Sequence, residues 1–166
     1  GRLAELALFS KEASDEGKVL EVCSLTPSTS FSLTQGFGNM RERCIIFSAL
    51  VQHPQLKNHQ AGLKKLFQRV GDDSWKIQVD WVSNRKWNKD IVKDFYKSLE
   101  THVDDSMFTG YNSWLELLKA IDQDFDSKKD ELKNKTLRKV RVMFVKSCAA
   151  NLTADLFILD EFQRFK

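Results

Sequence analysis

Apolar side chains recur at helical spacing along most of the chain, and one stretch departs from that rhythm. Ile45, Ile46, Ala49 and Leu50 form a buried stripe. Asn39 opens it as an N-cap, with Glu42 three residues on, the spacing of a capping box. His53 and Pro54 end that helix, because proline denies the preceding residue the α region. Leu56, Leu63, Leu66, Phe67 and Val70 mark a second helix, stopped by Gly71. Asn88 caps another, with Ile91, Val92, Phe95, Leu99 and Val103 on one side. Ser113 and Glu116 repeat the capping-box spacing before Trp114, Leu117, Leu118, Ile121 and Phe125. Ser127 is placed to cap a long helix reaching about Ala150, and a last helical segment carries Leu156, Ile158, Leu159, Phe162 and Phe165.

The departure is "SWKIQVDWV", where Trp75, Ile77, Val79 and Trp81 alternate with Lys76, Gln78 and Asp80. That is strand periodicity. No second alternating run exists to pair with it, so helix is the reading, with a short β segment near 75–82 as the alternative. At the amino end, Leu3, Leu6 and Ala7, then Val19, Leu20 and Cys23, predict two short helices or one broken at Ser14–Gly17. A long Ser/Thr/Gly loop follows near 24–38, and loops of that length in compact domains are often functional. The expected fold is therefore all-α, one bundle-like domain of about seven helices over 1–166. The opening Gly1-Arg2 and the helical pattern running to Lys166 read as a domain excised from a longer protein.

Composition agrees with this picture. The 166 residues are 42% hydrophobic and 30% charged, a globular balance, and 2 Pro with 7 Gly are few for an all-β domain. Cys23, Cys44 and Cys148 are widely spaced and odd in number, which predicts reduced, buried thiols. With no secretory signal and no long apolar run, the expectation is an intracellular protein, cytoplasmic or nuclear, that does not span a membrane.

Net charge is only +3, but its distribution is uneven: Lys128–Lys146 holds eight basic and two acidic residues. On a helix, Lys128, Lys135, Lys139 and Lys146 share one face, with Arg138 and Arg141 on its shoulder. Leu132, Leu137, Val140, Phe144 and Cys148 take the opposite side, while Val142 and Val145 widen the apolar arc. Such a row of cations can track phosphates, an acidic protein or lipid headgroups, or it can be a solvated face. A second cluster, Arg85, Lys86, Lys89, Lys93 and Lys97, surrounds Trp87, a ring on which a base could stack or which could simply belong to the core.

Other motifs carry less. "QGFGNMRER" puts Gly36 and Gly38 before a helix N-terminus without the spacing of a phosphate loop, so a flexible entry into a capped helix is the better reading. His102 lies near Asp104 and Asp105, but no HExxH, GxSxG or Cys/His metal signature occurs. No cofactor and no metal are expected. The apolar "LFILDEFQRF" predicts either deep packing or a partner surface through Phe157, Phe162 and Phe165. The leading expectation is a non-enzymatic protein–protein interaction domain, self-association included, of a larger intracellular or viral protein. The alternative is an RNA- or DNA-binding module using the 128–146 face.

Overall fold

Met40–Gln52 forms the first helix among the described residues, α1, and its ends are set by local chemistry. The Asn39 side-chain oxygen accepts a hydrogen bond from the Glu42 N–H at 2.8 Å. His53, held extended by Pro54, closes it, its N–H donating to the Leu50 carbonyl. A computed structural model of the chain describes residues 22–25, 37–121, 130–151 and 156–159, the two outer segments as backbone only. Every residue of α1 from Glu42 to Leu50 is buried, so this helix is the centre of the molecule rather than one wall of it.

Gln60–Phe67 forms α2, which buries Gly62, Leu63, Leu66 and Phe67. Asp72–Ser83 forms α3 from the alternating stretch, and the short β segment near 75–82 is not seen. In helical geometry Trp75, Val79 and Val82 fall on one stripe, and Trp75 meets Phe47 of α1 edge-to-face at 5.4 Å. Ile77, in phase with Trp75 and Val79 on a strand, is instead 71% exposed. Lys89–Leu99 forms α4, whose Asn88 cap accepts from the Asp90 and Ile91 N–H groups. A 3-10 turn at Ser106–Phe108 precedes α5, Trp114–Ala120. The Ser113 hydroxyl caps α5 at the Glu116 N–H, and the Glu116 carboxylate accepts from Asn112, one residue outside the usual box.

Asp130–Ala150 forms α6, the longest helix among the described residues, with Leu137, Val140, Phe144 and Cys148 fully buried. It packs on α4, where Phe144 stands edge-to-face to Phe95 at 5.0 Å, and on α2. Helix α1 packs on α2 and α3. The described residues are thus mostly helical, with six α-helices instead of about seven.

Two short strands, β1 at Val22–Leu25 and β2 at Leu156–Leu159, pair in parallel with Val22 opposite Leu156 and Leu25 opposite Leu159. Cys23, expected in a helix, therefore lies in β1, and the terminal apolar segment begins as a strand. Side-by-side pairing satisfies the backbone groups that a lone extended segment would leave open. The helices expected before Val22, most of the loop near 24–38, and Phe162 and Phe165 lie outside the described residues. Among the described residues, no helix is long and apolar enough to cross a membrane.

Candidate nucleic-acid interface

Helix α6 divides its cations between core and solvent. Arg138, Lys139 and Lys146 are exposed, while Lys128 lies outside the described residues. Lys135 is half-buried: its ammonium pairs with Asp105 at 2.7 Å and sits 5.6 Å from the Phe108 ring. The Lys135 and Met107 hydrogen bonds hold the Asp105 carboxyl below the usual carboxylate range. Lys135 is therefore an internal strut between α6 and the turn before α5, and not a free cation.

Arg141 corrects the sequence reading more sharply. It is buried, and its guanidinium makes a two-point pair with the equally buried Glu42, Nε to Oε1 at 3.0 Å and Nη2 to Oε2 at 3.1 Å. The wide apolar arc of α6, with Val145 also buried, carries position 141 inward. Glu42 thereby turns its carboxylate to α6 rather than serving only as the far half of a capping box at Asn39.

The glycine before α1 belongs to the same construction. Gly38 has φ +73°, and a Cβ there would lie 2.6 Å from Arg141 Nε and 2.7 Å from Glu42 Oε2. Its carbonyl accepts from Arg43 Nη1, and Arg43 Nε donates to the Phe67 carbonyl at 3.0 Å. Burial, together with the Arg69 and Arg141 charges, lowers the Arg43 pKa from its ordinary value, with Cys44 and Glu42 opposing. What reads in sequence as a loose loop is a close approach of backbone to a buried ion pair.

Arg85, Lys86 and Lys89 are exposed, whereas Trp87 is half-buried and packs against the core. The ring dressed by arginines is Trp81, with the Arg85 guanidinium 4.2 Å and the Arg41 guanidinium 4.6 Å from its centroid. A second such unit forms at Phe37, with Arg69 at 4.5 Å and Arg138 at 5.6 Å. Arg69 also donates to the Asn134 side-chain oxygen on α6. Phe37 and Arg41 flank the first turn of α1, so cations from both basic runs converge on that turn. The sequence reading singled out neither Arg69 nor Asn134, and it did not join Phe37, Arg41 or Trp81 to the basic runs, because nothing local couples positions so far apart in the chain.

The remaining candidates are quiet. His102 is exposed, with Nδ1 3.2 Å from the Asn112 carbonyl, and Asp104 is exposed. Among the described residues, no group of three or more His, Cys, Asp or Glu could hold a metal ion. Cys44 and Cys148 are buried and unpaired by disulfide, and burial pushes their thiols up to about 11 and about 12, far from the thiolate form. Phe157 lies in β2. Against known protein families, curated proteins and solved structures alike, the chain has no match.

Proposed function

We propose that this chain is a nucleic-acid-binding module. The carrying observation is the arrangement of exposed Arg69, Arg138, Lys139 and Lys146, for which no acidic side chain lies within ion-pairing distance among the described residues. Lys139 and Lys146 are seven residues apart on one face of α6, and Arg138 joins that face to Arg69 across Phe37. Cations so placed can neutralise successive phosphates and release their counterions. Charge reversal at Arg138 and Lys139 should weaken retention of a labelled oligonucleotide at low salt by at least about tenfold and flatten the salt dependence by roughly one unit per lost phosphate contact. Unchanged binding by a folded Arg138→Glu, Lys139→Glu variant removes the reading.

A second reading, a protein-partner surface, is favoured by Ile77, 71% exposed on α3 beside half-buried Trp81. If that surface supports self-association, light scattering should show a concentration-dependent mass that Ile77→Asp abolishes. A mass fixed at the monomer at all concentrations disposes of the self-associating version.

A further inference from the structure

We infer that the Arg69–Phe37–Arg138 unit receives a terminal phosphate monoester of a nucleic-acid strand; this rests on the nucleic-acid reading above and names the group that the unit takes. Two guanidiniums, one from the segment after α2 and one from α6, lie over a single ring, at 4.5 and 5.6 Å from its centroid. Neither has an acidic side chain within ion-pairing distance among the described residues, and Asn134 fixes one of them through its side-chain oxygen. Buried Arg43, whose Nη1 donates to the carbonyl of Gly38 next to Phe37, adds a charge that interacts with that of Arg69. Positive charge is therefore gathered around one ring here, in contrast to the spread row of Lys139 and Lys146 along α6.

Point and row suit different phosphates. An internal phosphodiester carries one negative charge, and a row of single cations matches a succession of them. A monoester carries about −1.5 to −2 at pH 7 and offers three oxygens, which two planar guanidinium forks engage together. Stacking on Phe37 holds the forks in place before the anion arrives, so little side-chain freedom is lost on binding.

The test is fluorescence anisotropy of the 166-residue chain with one oligonucleotide carrying a 5′-phosphate, a 3′-phosphate or hydroxyls at both ends. One phosphorylated form should bind about tenfold tighter than the hydroxyl form, and that advantage should shrink as pH falls below about 6, where the monoester gains its second proton. Inorganic phosphate should compete with the phosphorylated form more strongly than with the hydroxyl form. Arg69→Gln and Arg138→Gln, both at exposed positions, should weaken the phosphorylated form more than the hydroxyl form and so erase the preference. Equal affinity for all three forms overturns this inference and leaves the nucleic-acid reading standing. Failure of all three to bind overturns both. Tighter capture of a phosphoserine peptide than of any oligonucleotide also overturns the assignment, since the monoester would then come from a protein.

Discussion

Glu42 and Arg141 lie 99 residues apart in the chain and meet with both side chains almost wholly out of water. Desolvation makes such a pair a weak source of net stability, but breaking it strands a buried charge. Glu42→Gln should therefore cost about 3–5 kcal/mol in urea denaturation, whereas Glu42→Leu with Arg141→Met should lie close to the wild type. Gly38→Ala should destabilise by a comparable route, since its methyl would displace the Arg141 guanidinium and strain a positive φ. His53 gives a pH signature. It is buried, its Nδ1 accepts from the Gln55 N–H, and it stacks edge-on to Tyr96 at 4.5 Å. Burial and then the Lys119 charge lower its pKa from 6.5, with Glu100 opposing. The unfolded chain thus takes up the proton first as pH falls. Stability from this group is complete above about pH 6.5 and declines below it, towards the folded-state pKa. The urea midpoint should drop across that window in the wild type and drop less in His53→Gln. At this scale the caps at Asn39, Asn88 and Ser113 were legible, because a cap is decided within four residues. The partner of Arg141 was not, because only tertiary packing brings it there.

Among the elements, α3 and α6 show what periodicity does and does not carry. Alternation in "SWKIQVDWV" could not by itself separate a strand from a helix, and the lack of a second alternating run decided rightly for helix. The cost of that choice is visible in Ile77, which a strand would have aligned with Trp75 and a helix turns to solvent. Helix α6 was legible in extent, and its apolar side was read correctly at Leu137, Val140, Phe144 and Cys148. Its cationic side was read too generously, since Arg141 goes inward and Lys135 is tied to Asp105. Phe144, fully buried against Phe95, is the residue on which the α4–α6 contact turns. Phe144→Ala should cost about 3–5 kcal/mol, and Phe144→Leu markedly less, by thermal or urea denaturation.

Across the whole molecule, β1 and β2 stand on either side of the helical body in sequence and beside each other in space. Parallel neighbours require a long crossover, and here the helices from α1 to α6 lie within it. Nothing in either four-residue run announces this: "VCSL" and "LFIL" lack alternation, and apolar runs of that length fit helix or strand equally. The register gives a direct check. Neighbouring strands lie about 4.8 Å apart, within the span a disulfide bridges. Leu25→Cys with Leu159→Cys should crosslink on mild oxidation, detected as a single linked peptide by mass spectrometry, while Val22→Cys with Leu159→Cys should not.

That register has a geometric corollary. Because Leu25 is level with Leu159 and both strands run the same way, the polypeptide departs from both at a common doorway. The carboxyl ends of the two strands, Leu25 and Leu159, thus stand as neighbours, although more than a hundred residues of chain lie between them.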